Sequence, residues 1–112
     1  MAAVKPFDVS EDDLSDADMD NLPSLGGGVY VYYDKKGVPL YVGQTYSFKK
    51  RHAQHRSKSW TKSVHKMAVW PCANESDRLI AETVLIFKVR PAENKLIKLR
   101  IHKDGSIGAA RW

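Results

Sequence analysis

An α+β fold is predicted for this 112-residue chain: a compact α/β sandwich with a small, mainly antiparallel three-stranded central sheet flanked by helices. Two Tyr-bearing apolar runs, "VYVYY" and "PLYVG", bracket the turn-rich "DKKGVP", which is the pattern of a hairpin. A third strand-like run, "VHKMAVWPCA", spans 64–73. Two helical stretches separate and follow these runs.

Taken in order, residues 1–27 form an acidic arm, poor in large apolar groups and expected to be flexible. A brief helix after Ser10 is expected, because "SEDD" sets an acid three residues past a capping Ser. "LGGG" then gives a joint, and with no Gly-Lys-Ser/Thr behind it this is a poor nucleotide-phosphate loop. The folded core is expected over 28–95. Strand alternation puts Val29, Val31 and Tyr33 on one face and Tyr30 and Tyr32 on the other. In the next strand Leu40 and Val42 oppose Tyr41 and Gly43, so Tyr30 and Tyr41 share a face.

"SFKKRHAQHRSK" reads as a helix from about 47 to 58 capped by Ser47. Phe48, Arg51 and His55 project from one side of it, and His52 lies off that face. The longer helix "ESDRLIAETVLIFKVR" is capped by Asn74 or Ser76 and ended by Pro91. Residues 96–112 form a C-terminal extension with room for a strand or short turn.

Charge divides the chain. Residues 1–25 hold seven acids against Lys5, a net −6, while the other 87 residues hold 17 bases against 6 acids, a net +11. So basic a domain attracts polyanions, nucleic acid above all; the alternative is a soluble surface that is merely basic. No apolar run approaches the ~20 residues of a bilayer span. The first residues lack a secretory pattern, and Cys72 stands alone. No membrane association and a reducing, cytoplasmic setting are therefore expected.

One charge falls in an apolar pattern. Leu79, Glu82, Ile86 and Val89 follow core-facing spacing, and a carboxylate there is costly to desolvate alone. Arg51 is a candidate ion-pair partner, which the helix alone favours, and a divalent cation is the second option. Period drift would instead leave Glu82 at the edge of the stripe.

The residues then resemble the GIY-YIG nuclease superfamily. "GVY" at 28–30 and "YVG" at 41–43 match its two name motifs, and Arg51, eight residues after Gly43, matches its helix arginine. His55 falls where the family has His or Tyr, "AE" at 81–82 supplies the glutamate, and Asn94 follows a Pro after that helix. Gly28, Gly43 and Asn94 are structural in this resemblance. Val29 and Val42 replace isoleucines, and Gln44 stands where excision-repair members carry Lys. A cation at that point is therefore absent or comes from another residue.

The resemblance implies a divalent-metal-dependent endonuclease, with DNA favoured over RNA. Glu82 would hold one Mg²⁺ or Mn²⁺, and Arg51 would contact the scissile phosphate. A tyrosine, Tyr30 before Tyr41, would take a proton from water, and His55 would orient it or donate to phosphate. Arg51 and the cation would favour a phenolate whose ordinary pKa is ~10. Lys49, Lys50, Arg56, Lys58 and Lys62 are candidate phosphate contacts, and Trp60 a base-stacking ring. Their alternative is a solvated helix face beside one buried Trp. Tyr32, Tyr33 and Tyr46 are read as packing residues, and His52, His65 and His102 carry no assigned role.

Two rival readings remain: a module of this fold that binds nucleic acid without turnover, and an interaction protein whose arm docks on a basic partner. The arm could also cover the basic site and inhibit it. A lone domain of this size has little room for sequence reading, so modest specificity or homo-oligomerisation is expected.

Overall fold

Valine and tyrosine alternate along "GVYVYY", and strand β2 (Gly28–Tyr33) sends them to opposite faces of a sheet. The computed structural model describes residues 4–23, 25–93, 99–101 and 107–109. β2 pairs antiparallel with β3 (Pro39–Thr45) on one side and β4 (Lys66–Pro71) on the other. A short strand β1 (Ser15–Ala17) pairs antiparallel with β4, so the sheet has four strands in the order β1-β4-β2-β3. The antiparallel α+β class is as expected, with one strand more.

Helix α1 (Phe48–His55) begins at Ser47, whose hydroxyl accepts from the Lys50 N–H. It stops at His55, short of the expected 58, and a 3₁₀ turn over Ser59–Ser63 follows. Helix α2 (Glu75–Val89) is capped by the Asn74 side chain, which accepts from the Asp77 N–H. Residues 99–101 and 107–109 pair as a separate two-stranded antiparallel sheet, β5 (Leu99–Ile101) and β6 (Ile107–Ala109). Among the described residues no helix is long and apolar enough to cross a membrane.

Each sheet face has its own cover. Val29, Val31, Val42 and Ala68 pack against Ala81, Leu85 and Ile86 of α2. Tyr30, Tyr32, Tyr41 and Met67 pack against Phe48 of α1 and against Trp60. Leu40 joins the tyrosine cluster instead of siding with Val42. Tyr32 pairs with Tyr41 but Tyr33 with Pro39, so Leu40 is an extra residue that breaks strict alternation.

The expectation of a flexible arm is corrected. Val9 is fully buried beneath α2, Leu22 is buried among the tyrosines, and the Tyr33 hydroxyl donates to Glu11 at 2.8 Å. Lys88 Nζ donates to the Val9 carbonyl at 2.8 Å. The short helix after Ser10 is present over Glu11–Asp13, with the Asp13 carboxylate accepting from the Ser10 N–H. Composition missed this because two buried side chains and three ladder residues suffice: β1 covers the otherwise open edge of β4.

Since the arm is part of the core, Val9→Ala should lower unfolding free energy by about 2 kcal/mol. Chemical denaturation measures this, and an unchanged midpoint would show that the arm contributes nothing.

Candidate active site

Residue 43 faces Tyr30 across the β2–β3 ladder. A Cβ there would overlap the Tyr30 ring and hydroxyl and the edge of the Tyr41 ring, so only glycine lets Tyr30 lie flat over the strand. Gly28 is a second close approach, where a Cβ would strike the β4 backbone at Trp70 and Cys72.

From α1, Arg51 and His55, one turn apart, both reach Tyr30. The Tyr30 hydroxyl lies 2.6 Å from His55 Nε2, and Arg51 Nε donates to it at 3.4 Å. A guanidinium only donates, so the hydroxyl's own proton needs another acceptor. His55 Nε2, at 2.6 Å, can serve as that acceptor when it is unprotonated. Burial, with Arg51 nearby, holds His55 down at about 4, well below the usual histidine range, so the imidazole is neutral at pH 7.

Tyr41 completes the cluster, its ring 4.9 Å from His55, 6.0 Å from Tyr30 and 5.0 Å from Trp60, stacked on the last two. Trp60 is therefore half-buried against Tyr41 and does not stand free. Burial, then the neighbouring Tyr41, raises the Tyr30 pKa well above the phenol range, and the hydrogen bond from Arg51 offsets this only in part. Burial thus outweighs the Arg51 charge expected to favour a phenolate. Burial also pulls Arg51 down, but the Tyr30 and Tyr41 hydroxyls overcome it and keep the guanidinium charged.

A second pair lies beside the first. The Tyr32 hydroxyl is 2.7 Å from His52 Nδ1, and burial followed by the charge of Arg56 lowers the His52 pKa. Sequence reasoning gave neither residue a role. The signal was available: Tyr32 lies two residues after Tyr30 and His52 three before His55, so strand and helix periods bring the second pair alongside the first.

Glu82 sits half-buried on α2, the helix that covers the opposite sheet face. The buried charge on that helix is Arg78, because the buried stripe is Arg78, Ala81, Leu85 and Ile86, one position off the expected Leu79, Glu82, Ile86 and Val89. Arg78 Nη1 donates to the Ala73 carbonyl at 2.6 Å and the Cys72 carbonyl at 3.4 Å, and Nε donates to Gln44 Oε1 at 3.3 Å. A cation thus stands beside Gln44 after all, one turn before Glu82.

Among the described residues no three His, Cys, Asp or Glu side chains gather into a metal cluster. That disfavours a closed zinc-type cage. A single half-buried carboxylate does fit a hard, hydrated Mg²⁺ or Mn²⁺, which keeps most of its water and shares the rest of its coordination with substrate oxygens. Lys49, Lys50, Arg56, Lys58 and Lys62 are exposed, as phosphate contacts must be. Asn94 lies outside the described residues.

The family model of the UvrC-like GIY-YIG domain matches residues 26–95. The chain is similar to UvrABC system protein C of Christiangramia forsetii, 37% identical over 79 residues, covering 63% of this chain and 13% of the relative. The protein of the same name from Deinococcus radiodurans is 36% identical over 86 residues, covering 70% and 14%. The chain thus spans about one-seventh of the length of these curated relatives. Its fold matches the crystal structure of the GIY-YIG N-terminal endonuclease domain of Thermotoga maritima UvrC, bound to its catalytic magnesium. That match has a TM-score of 0.58 and 26% identity, covering 68% of this chain and 90% of the other.

The Tyr30–His55 bond has a pH signature. His55 titrates at about 4 when folded and near 6.5 when unfolded, so the unfolded state takes up the proton first as pH falls. Its contribution to stability is complete above pH 6.5 and is lost progressively toward pH 4. Denaturation from pH 4 to 7 should show a shallower loss in His55→Asn than in wild type, and equal slopes would contradict the assignment.

Proposed function

The chain belongs to the UvrC-like GIY-YIG domain family, and on that premise we propose that it is a divalent-metal-dependent endonuclease domain, with DNA its favoured substrate. The observation that carries this reading is the Tyr30 hydroxyl clamped between Arg51 and His55 above Gly43.

In this reading Arg51 donates from Nε to Tyr30 and from Nη1 to Gln54 and interacts with the Tyr41 hydroxyl, and its remaining N–H groups serve a non-bridging oxygen of the scissile phosphate. Tyr30 accepts a proton from the attacking water while passing its own to His55 Nε2. A concerted exchange avoids a free phenolate, which the buried site disfavours. Tyr41, packed on both Tyr30 and His55, fixes their rings and directs its hydroxyl to the reacting groups. Glu82 is the residue that would hold the cation, with Arg78 adding positive charge one turn away. When bound, the ion supplies charge that stabilises the leaving oxygen. The exposed lysines and Arg56 contact flanking phosphates through salt-sensitive bonds.

The acidic arm is proposed to compete with nucleic acid. Its turn at Asp18–Asp20 follows β1 on the tyrosine side, where Met19 and Leu22 pack, and the charge of Asp20 reaches His52.

Pure protein given plasmid and single-stranded DNA should cut with Mg²⁺ or Mn²⁺ and not with chelator. Glu82→Gln should abolish cutting, and Arg51→Ala should slow it about 100-fold or more. Wild-type rates in Glu82→Gln would refute the site, and binding without cutting by the wild type would mark a binding module. Because deleting the arm would also remove β1 and Val9, the arm is tested with an Asp18→Asn, Asp20→Asn double variant. DNA affinity should rise at low salt and converge with wild type at high salt; no difference at low salt would refute competition.

A further inference from the structure

Four of the five tyrosines are buried, and each serves the packing or the hydrogen bonds described above. Tyr46 is different: 68% of it is exposed. It sits where β3 gives way to α1, three residues after Gly43 and five before Arg51. The ammonium of Lys50, one helical turn on, lies 5.7 Å from the centre of its ring. Lys50 precedes Arg51 in the first turn of α1, so the ring and ammonium lie on the same short stretch of chain as the guanidinium.

The backbone beneath the ring is fixed. Gly27 packs so closely under it that a Cβ there would overlap Thr45 and Tyr46 main-chain atoms. Phe48 N–H donates to the Gly26 carbonyl at 3.2 Å. Thr45 Oγ1 accepts from the Ser47 N–H and donates to the Ser47 carbonyl, both at 3.0 Å. An exposed aromatic ring on a rigid platform, paired with a lysine, loses little entropy when a flat partner stacks on it.

We propose that Tyr46 and Lys50 form a stacking step for an unpaired nucleobase next to the scissile phosphate. The ring takes the base face, and Lys50 takes the adjoining phosphate. An aromatic ring accepts any base, so the step contributes affinity and a preference for unpaired structure without reading sequence. A base inside a duplex has both faces covered and cannot use it. This inference rests on the endonuclease reading and adds a substrate class to it: DNA with single-stranded or unpaired nucleotides at the cut.

The test is equilibrium binding in chelator, so that binding is read without cleavage. The probes are a labelled single-stranded oligodeoxynucleotide and the same strand in a duplex. Tyr46→Ala should weaken single-strand binding about tenfold and duplex binding much less, with an unchanged melting temperature. Tyr46→Phe should bind as wild type, because the ring and not the hydroxyl makes the contact. In Tyr46→Trp, the emission added by the new indole should be quenched by the single strand. Unchanged single-strand binding in Tyr46→Ala, equal losses on both probes, or an unquenched indole would each overturn the stacking step. If the wild type cuts DNA in Mg²⁺ while Tyr46→Ala binds normally, only this inference falls. If the wild type neither binds nor cuts, the endonuclease reading falls and takes this inference with it.

Discussion

A buried hydroxyl must find both a donor and an acceptor, and Tyr30 finds them because residue 43 has no side chain. The missing Cβ lets the phenol lie across β3 and bring its oxygen under α1. Arg51 and His55 meet that oxygen from one helical face, and Ser47 fixes where the helix starts and so which face it presents. Moving the cap by one residue would rotate the face by about 100° and take both partners away. One hydrogen-bonded oxygen thus ties together the second strand, the third strand and the first helix.

The two faces of the sheet differ in chemistry. Its valine face packs on the apolar stripe of α2, and the buried polar groups there, Arg78 and the Tyr33 hydroxyl, each have hydrogen-bond partners. Its tyrosine face carries rings whose hydroxyls require partners, and two histidines whose pKa values burial lowers supply those of Tyr30 and Tyr32. Such a face is polarised and rigid, and it is shielded by Trp60 on one flank and by Met19 and Leu22 of the arm on another. The arm serves both sides: Val9 seals the valine core, while its acidic turn stays close to the basic helix.

Much of this was legible in the sequence, for identifiable reasons. Period-2 alternation sorted Val29, Val31 and Tyr33 from Tyr30 and Tyr32 correctly, because both sheet faces are buried and register leaves no freedom. The i, i+4 relation of Arg51 and His55 brought them to one target, as helical geometry requires. What alternation missed was Leu40, since a bulge is a local slip that pattern does not encode. Arg78 was overlooked in favour of Glu82 because 3.6 residues per turn leaves a stripe's phase uncertain by one position over a single helix. The arm was misjudged from composition alone. Burial of Val9 and Leu22 depends on cavities that only the finished sheet creates.

In the proposed site the Tyr30 hydroxyl donates to a neutral His55, and nitrogen-15 NMR of the imidazole rings reports this directly. At pH 7 His55 Nε2 should resonate as an unprotonated, hydrogen-bond-accepting nitrogen, with the proton on Nδ1. An imidazolium signal, or a neutral ring protonated at Nε2, would contradict it.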